Sequence, residues 1–229
     1  MLRIGHRGAA FHRPENTMSS FRRALELGVD MIELDVRKSR CGELMVIHDE
    51  TVDRTTDGTG KVSEMDLAEI SRLDAGSGER VPLLRDVMEV FAGRVSLDIE
   101  MKGTRIAEPV HSILAEMFDA GSWKEEDVIV TTFHPGELFD LNELLPSVRK
   151  GFIFEDHPDM GIDFASGLGA WSVVPRFDLV DEGFVESARS LDLKVLVWTV
   201  NDVRDVRKME RMGVDGIVTD DPGLFLAGG

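Results

Sequence analysis

Short apolar runs of β-forming residues alternate with helical patterns along the whole chain, and this alternation restricts the fold more than any other feature. Between the runs, apolar side chains recur every three or four residues, for example around Phe21 and Leu25 and again over residues 106–118. The alternation predicts eight strands, at residues 2–5, 31–36, 95–100, 128–133, 149–154, 170–174, 194–200 and 216–219.

Several of these strands are apolar throughout, as at residues 128–130 and 195–197. A strand without a polar face is typical of a parallel sheet that is covered on both sides. Eight strands with helical crossovers in 229 residues fit a closed α/β barrel, the (β/α)8 or TIM barrel, better than a doubly wound open sheet.

The two ends of the chain contain similar units. Residues 27–35 and 212–220 align, and each unit has a glycine (Gly28 and Gly213) suited to a left-handed helix cap before its strand. Each strand then carries an aspartate, Asp35 or Asp220, to its carboxyl end. Two such units fit the first and last neighbours of a ring.

One place interrupts the alternation. Residues 37–43 are too few for a crossover helix, so the apolar run at 44–48 is expected to pair antiparallel with the strand at 31–36. The segment 51–83 is interpreted as a short insertion, with a small helical part, between strands 2 and 3 of the barrel. No linker rich in Pro or Gly divides the chain, so residues 1–229 are predicted to form a single barrel domain.

The charge balance restricts the partners. The chain has 43 acidic against 26 basic residues, a formal net charge of −17. This balance argues against nucleic acid, whose non-specific affinity comes from Lys and Arg, and against anionic membrane surfaces. An anionic substrate would therefore need a bound metal or a few well-placed basic side chains to attract it.

The compartment is expected to be the cytoplasm. A single cysteine, Cys41, makes no internal disulfide, and the first residues lack the pattern of a signal peptide. No apolar run reaches the roughly 18 residues of a membrane helix, so no membrane insertion is expected.

Polar residues collect at the predicted carboxyl ends of the strands, where barrel enzymes place their active sites. They are His6, Arg7, Glu33, Asp35, His48, Asp49, Glu100, Lys102, His134 and Asp220, and the aromatic residues Phe133 and Trp198 lie at the same ends. A soluble barrel needs no such cluster of titratable groups for its stability.

Three carboxylates in this set suggest a metal site. Glu33 and Asp35 lie on one side of a strand because side chains alternate with a period of two, and Glu100 is on the next strand of the barrel. Adjacent carboxylates repel each other unless a cation lies between them or one pKa is raised. Oxygen ligands without thiolate suit one divalent cation, Mg²⁺ or Ca²⁺, better than zinc. The alternative is a set of solvated charges at a strand end.

Two histidines and two cations complete the candidate site. His6 and His48 end strands beside the carboxylate strand, and two imidazoles across a pocket can act as general acid and general base. Arg7 and Lys102 can bind a phosphate, although salt bridges with neighbouring acids are an equally simple role.

Other residues have simpler interpretations. Phe133 and Trp198 are candidates for an apolar wall against the substrate or for barrel core. The sequence at residues 14–17, Pro-Glu-Asn-Thr, is interpreted as a helix start with Asn16 or Thr17 as the cap.

These residues belong to motifs that resemble, in order, those of the glycerophosphodiester phosphodiesterase family, here its compact cytoplasmic bacterial and archaeal type. The motifs are His6-Arg7-Gly8, Pro14-Glu15-Asn16-Thr17, Glu33-Leu34-Asp35-Val36, His48-Asp49, Arg54-Thr55-Thr56-Asp57-Gly58-Thr59-Gly60, Leu73-Asp74-Ala75-Gly76, Glu100-Met101-Lys102 and Trp198-Thr199-Val200-Asn201. The resemblance implies a TIM barrel that hydrolyses small glycerophosphodiesters to glycerol 3-phosphate and an alcohol with one divalent cation.

By position, the resemblance implies residue roles. Glu33, Asp35 and Glu100 would hold the metal. His6 and His48 would be the acid and base, and Arg7 and Lys102 would bind the phosphate. The attacking oxygen is either the glycerol 2-hydroxyl, which the resemblance favours, or water.

Two competing functions stay open on the sequence. A Mg²⁺-dependent barrel lyase or aldolase also uses Glu and Asp at strand ends, but it would need a Schiff-base lysine or a single base. A non-catalytic barrel that binds phosphate esters would keep the fold, but the intact His6 and His48 argue against it.

Overall fold

The computed structural model describes residues 1–226, which alternate between strands and helices as the sequence predicts. The strands are β1 (Leu2–Gly5), β2 (Met31–Lys38), β3 (Leu44–Val46), β4 (Ser96–Met101), β5 (Val128–Thr132), β6 (Arg149–Phe154), β7 (Ser172–Pro175), β8 (Lys194–Val197) and β9 (Gly216–Thr219). The helices are α1 (Met18–Glu26), α2 (Leu67–Ile70), α3 (Leu84–Phe91), α4 (Ala107–Asp119), α5 (Pro135–Leu144), α6 (Pro158–Gly167), α7 (Glu182–Ser190) and α8 (Val203–Met212).

The sheet closes into a ring. All its strands except β3 run parallel, in the order β1-β9-β8-β7-β6-β5-β4-β2, and β1 also pairs with β2. Ile4 is opposite Met31 on one side and Val218 on the other, which joins the first strand to both neighbours. The predicted (β/α)8 barrel is therefore confirmed.

The apolar strands are explained by burial on two sides. Inside the ring, a buried cluster combines Ile4, Met31, Ile129, Ile153, Val174, Leu196 and Val218. Between the ring and its helices lie two further clusters, one of which contains Phe21 and Phe91. These two rings meet edge to face with centroids 6.0 Å apart.

Helix ends follow the sequence signals. Gly213 ends α8 with φ 77°, and Gly28 follows α1 with φ 78°, so both glycines of the repeated unit adopt the left-handed conformation. At the start of α1, Thr17 is the cap, because its side chain accepts from the backbone N–H of Ser20.

The predicted hairpin is also present. Strand β3 pairs antiparallel with β2, with Val36 opposite Val46. The segment 51–83 follows it with a 3₁₀ turn at Val62–Glu64 and the short helix α2, which begins with a capping box of Asp66 and Glu69. Beneath the segment is a separate buried cluster of Met45, Ile47, Val52, Val62, Ile70, Ala75 and Val81.

Three strands are shorter than predicted. Phe133, Trp171 and Val200 lie outside β5, β7 and β8, although Val200 is fully buried. An apolar run reports burial rather than regular pairing, so it can extend beyond a strand at either end.

Within residues 1–226, no helix is long and apolar enough to cross a membrane.

Replacing Phe91 tests the packing of helices on the barrel. Phe91 is fully buried, so Phe91→Ala should lower the free energy of unfolding by about 3–5 kcal/mol, measured by urea denaturation. Phe139→Ala is the matched control, because Phe139 is 54% exposed and its loss should cost at most about 0.5 kcal/mol. Equal losses in the two variants would contradict this account of the core.

Candidate active site

A cavity of about 320 Å³ opens where the barrel strands end. Nine residues have a metal, catalytic, phosphate-binding or wall role predicted from the sequence, and eight of them line the cavity: His6, Arg7, Glu33, His48, Glu100, Lys102, Phe133 and Trp198. The ninth, Asp35, is fully buried beside it. The ring closure brings these residues together from β1, β2, β4, β5, β8 and the end of the hairpin.

Three carboxylates meet on the β2–β4 side of the cavity. Asp35 is opposite Glu100 in the register of these strands, and Glu33 lies two residues before Asp35 on the same face. One oxygen from each of Glu33, Asp35 and Glu100 lies within 4.8 Å of the others. All three side chains are buried, so the alternative of solvated charges at a strand end does not describe them.

Burial and mutual repulsion shift the pKa values of these groups in different directions. Burial, followed by the negative charge of Asp35, raises the pKa of Glu100 to about 8. The same causes raise the pKa of Glu33 well above its ordinary value. Burial would also raise the pKa of Asp35, but Lys102 and Arg7 outweigh it and hold that pKa below the usual range.

Several buried oxygens of the cluster have unused acceptor capacity. Among residues 1–226, Glu33 Oε1, Asp35 Oδ1 and Glu100 Oε1 accept no hydrogen bond. Lys102 Nζ is 3.3 Å from Asp35 Oδ1 and contacts Glu100, so those two oxygens have a nearby charge without a well-directed bond. Among these residues, Glu33 Oε1 has neither a nearby cation nor a hydrogen-bond donor. A set of ligands made only of oxygen atoms fits a divalent cation.

The remaining oxygen of Asp35 is held by Asn16. The Asn16 amide donates to Asp35 Oδ2 at 2.8 Å, and its carbonyl oxygen accepts from the Asp35 backbone N–H at 3.3 Å. Asn16 adopts φ 56°, a conformation that asparagine tolerates better than most residues. The motif at residues 14–17 therefore does more than start a helix: Thr17 caps α1, and Asn16 fixes a carboxylate of the site.

Glu33 is oriented by the sharp turn after β1. The backbone N–H of Arg7 donates to Glu33 Oε2 at 2.7 Å, with Arg7 at φ 50° and Gly8 at φ 88°. A Cβ on Gly8 would lie 2.5 Å from Ser20 Oγ, so only glycine permits this approach of the turn to α1.

The two histidines have matching partners. His6 Nδ1 lies 2.6 Å from Asp220 Oδ1, and His48 Nδ1 lies 2.6 Å from Asp49 Oδ1. Each imidazole thus engages a carboxylate through Nδ1, and Nε2 is left for the cavity; His6 Nε2 is 4.0 Å from Glu33 Oε2. Burial lowers the pKa of His48 and outweighs the charge of Asp35 and the hydrogen bond with Asp49, both of which would raise that pKa.

The two candidate phosphate-binding cations line the cavity and also pair with acids. Arg7 NH1 donates to Glu15 at 2.7 Å, and Arg7 Nε is 3.3 Å from Asp35 Oδ2. Lys102 contacts Asp35 and Glu100, and these two carboxylates raise its pKa against the effect of burial. Salt bridges are therefore present, but with carboxylates of the site rather than at an open surface.

Phe133 and Trp198 belong to both the core and the cavity wall. Their rings meet edge to face with centroids 5.5 Å apart, and the Trp198 indole donates to the Val174 carbonyl at 2.9 Å. They pack on the cluster inside the barrel and line the cavity above it.

Sequence reasoning missed four contributors. Asp98 lines the cavity, accepts from Thr131 Oγ1 at 2.8 Å and has its pKa raised by burial to about 7. The period of two from Glu100 would have indicated it. Arg37 donates to the His48 carbonyl at 2.6 Å, and Arg54 and Glu15 are linked across 39 positions. Arg54 and Glu15 each lie in a sequence motif, but no sequence pattern pairs them with each other.

Comparisons with known proteins place the chain in a family. The model of the glycerophosphoryl diester phosphodiesterase family matches residues 6–224. A glycerophosphodiester phosphodiesterase of Caldanaerobacter subterraneus subsp. tengcongensis is 38% identical over 234 residues, 98% of this chain and 96% of the relative. A solved glycerophosphodiester phosphodiesterase from Agrobacterium tumefaciens is 32% identical with a TM-score of 0.86, covering 99% of each chain. A phosphodiesterase from Oleispira antarctica, solved with its product sn-glycerol-3-phosphate, is 26% identical with a TM-score of 0.91 over 99% of this chain and 96% of the other. The chain therefore belongs to the glycerophosphoryl diester phosphodiesterase family, whose members are phosphoric diester hydrolases.

Proposed function

We propose that this protein hydrolyses small glycerophosphodiesters to glycerol 3-phosphate and an alcohol, with one divalent cation and two histidines. The observation that carries the proposal is the placement of two imidazoles, each bound to a carboxylate through Nδ1, on one cavity with three buried carboxylates. That combination suits proton transfer at a site where negative charge must be stabilised.

Glu33, Asp35 and Glu100 would hold the cation. Their oxygen-only donor set favours Mg²⁺ or Ca²⁺, and the unpartnered Glu33 Oε1 supports this assignment. When bound, the ion would supply positive charge against the phosphate oxygens.

Arg7 and Lys102 would be the side chains that bind the phosphate of the substrate. Both are mostly buried, with 16% and 13% of the side chain exposed, so dissolved salt screens their charges only weakly. Lys102 is ion-paired and its pKa is raised, which disfavours the competing lyase or aldolase, because a Schiff base needs a neutral amine.

His6 and His48 would transfer the protons at Nε2. One would take the proton from the attacking oxygen, and the other would give a proton to the departing alkoxide. The attacking oxygen is the glycerol 2-hydroxyl, giving a cyclic phosphate that water opens, or water itself; the family resemblance favours the first route.

The substrate would be a small, water-soluble diester. A cavity of about 320 Å³ suits a glycerophosphate group, with Phe133 and Trp198 as an apolar wall beside the glycerol. The relative from Oleispira antarctica binds sn-glycerol-3-phosphate as its product. We further propose that residues 1–229 act as one domain with 51–83 as an insertion, since Arg54 of that segment binds Asp49 and Glu15.

Turnover of glycerophosphocholine tests the function directly. We expect release of glycerol 3-phosphate that stops in excess chelator and returns with Mg²⁺ or Ca²⁺, and little turnover of phospholipid vesicles or bis-p-nitrophenyl phosphate. Glu100→Gln should be inactive, whereas Glu116→Gln, an exposed partner of Arg85, should match the wild type. Binding without turnover would instead support a non-catalytic phosphate-ester barrel, and full activity in chelator would exclude the metal role.

The carboxylate cluster should make the stability of the metal-free protein depend on pH. Because the pKa of Glu100 is raised from 4.5 to about 8 in the fold, its protonated form stabilises the fold fully below pH 4.5, and this contribution is lost as pH rises toward 8. Thermal unfolding should therefore show a larger rise in Tm on adding Mg²⁺ or Ca²⁺ at pH 8 than at pH 5, where protons compete with the ion. In Glu100→Gln this difference should shrink; if it stays unchanged, the cluster is not the binding site.

Each histidine should matter for the rate. His6→Ala and His48→Ala should each lower kcat by roughly 10²–10⁴-fold on glycerophosphocholine, and the wild-type pH–rate profile should be bell-shaped. His111→Ala, on α4 away from the cavity lining, is the control for loss of an imidazole. Near wild-type turnover by a folded His48→Ala enzyme would remove His48 from the mechanism.

A further inference from the structure

The two histidines differ in the residues that bind their carboxylate partners. Asp220, beside His6, receives the neutral amide of Asn201 on its other oxygen. Asp49, beside His48, receives the guanidinium of Arg54 on both oxygens, from Nε at 2.6 Å and from NH2 at 3.0 Å. One aspartate is thus held by a neutral residue and the other by a cation.

Arg54 also connects this aspartate to the opposite side of the site. Its NH1 and NH2 donate to the two oxygens of Glu15 at 2.9 and 2.7 Å, and Glu15 accepts from Arg7 at 2.7 Å. A continuous chain of charged contacts therefore runs from His48 through Asp49, Arg54 and Glu15 to Arg7.

The guanidinium is held by the segment 51–83 rather than by a barrel strand. The neighbouring Val52 is fully buried in the cluster beneath the segment, and Thr56 N–H donates to the Val52 carbonyl at 3.1 Å. This local fold fixes the backbone on either side of Arg54, which extends from it over the end of the hairpin.

The contacts of Arg54 determine the state of its partner. Hydrogen bonds from Arg54 and His48 hold the pKa of Asp49 far below its ordinary value, so this carboxyl is ionised and can only accept. His48 Nδ1 must then carry the proton, and in the neutral imidazole Nε2 is an acceptor that faces the cavity.

We propose that Arg54 is a positioning residue for His48: through Asp49 it fixes the imidazole in one orientation and one tautomer for proton transfer. The proposal rests on the function proposed above. It also gives the segment 51–83 a defined role in the reaction, because Arg54 of that segment binds Asp49, the carboxylate partner of His48.

Other charges around His48 must be kept constant in a test. Asp35 on β2, Lys102 after β4 and Arg7 after β1 all act on its imidazole, and Arg37 binds its carbonyl oxygen. None of these is altered by a substitution at Arg54, although Arg7 is linked to it through Glu15. Glu15→Gln, which leaves the contacts of Arg54 with Asp49 in place, separates that indirect effect.

The experiment compares Arg54→Gln, Arg54→Lys and Glu15→Gln with the wild type. Arg54→Gln should lower kcat by roughly 10–100-fold, which is the loss seen when an outer hydrogen-bond partner of a metal-bound histidine is removed. The free charge of Asp49 should then favour the imidazolium, so the limb of the pH profile that His48 controls should move to higher pH.

Arg54→Lys should keep that limb near the wild-type position but lose rate, because one ammonium cannot hold both carboxylates. Glu15→Gln should leave the limb in place and raise KM, as expected if Arg7 binds phosphate.

A surface arginine provides the matched control. Arg40 also contacts two carboxylates, Asp66 at 2.8 Å and Glu69 at 3.5 Å, and its side chain is 57% exposed against 48% for Arg54. Arg40→Gln should change neither kcat nor the pH profile, and thermal unfolding will show whether Arg54→Gln stays folded.

Nitrogen NMR of the His48 ring gives a readout that needs no turnover. The wild type should show one tautomer, with the proton on Nδ1, and Arg54→Gln should show a mixture and a raised pKa of His48. If the tautomer and the pKa of His48 are unchanged in folded Arg54→Gln, the positioning role is wrong, whatever happens to kcat. If the wild type fails to hydrolyse glycerophosphodiesters while the NMR signals change as stated, the proposed function fails and the effect of Arg54 on His48 through Asp49 stands.

Discussion

The site is organised around the repulsion between three buried carboxylates. Glu33, Asp35 and Glu100 share a space in which their oxygens approach within 4.8 Å, and the side-chain cations Arg7 and Lys102 lie against them. Burial makes each charge costly, and the raised pKa of Glu100 reflects that cost. The surroundings counter it by hydrogen bonds on the outer oxygens, from Asn16 to Asp35 and from the Arg7 backbone to Glu33. Lys102 lies close to the inner oxygens of Asp35 and Glu100, whereas Glu33 Oε1 has no hydrogen-bond partner within residues 1–226.

Barrel closure is what makes this arrangement attainable. The parallel register of β2 and β4 places Asp35 opposite Glu100, and the pairing of β1 with both β2 and β9 places His6 between Glu33 and Asp220. The antiparallel strand β3 then brings His48 to the same rim by a hairpin rather than a crossover. Apolar packing inside and outside the ring, in separate clusters, stabilises the strands that carry these polar ends.

Much of this could be predicted because it depends on local periodicity. Runs of apolar residues indicated every barrel strand and the hairpin, and the carboxyl ends of these strands indicated the candidate residues that line the cavity. What could not be predicted depends on contacts between distant positions. The link from Asp49 through Arg54 to Glu15 needs the segment 51–83 to fold over the hairpin. The hydrogen bond between His12 and Asp221 joins side chains that are 209 positions apart. The role of Asn16 was hidden because Asn is also an ordinary residue at a helix start, and only its left-handed backbone turns the amide toward Asp35.

The overall charge of −17 does not prevent such a site from accepting a phosphodiester. Charges at the exposed surface are screened over about 8 Å at physiological ionic strength, so acids on the outer helices have little effect at the cavity. Arg7 and Lys102 are mostly buried on the cavity wall, where screening is weak, and a divalent cation among the three carboxylates would add two further positive charges. The local balance at the reacting phosphate is thus set by a few groups, and it is independent of the sign of the whole protein. An acidic surface around such a site would disfavour polyanions, whose other charges would lie against the acidic exterior.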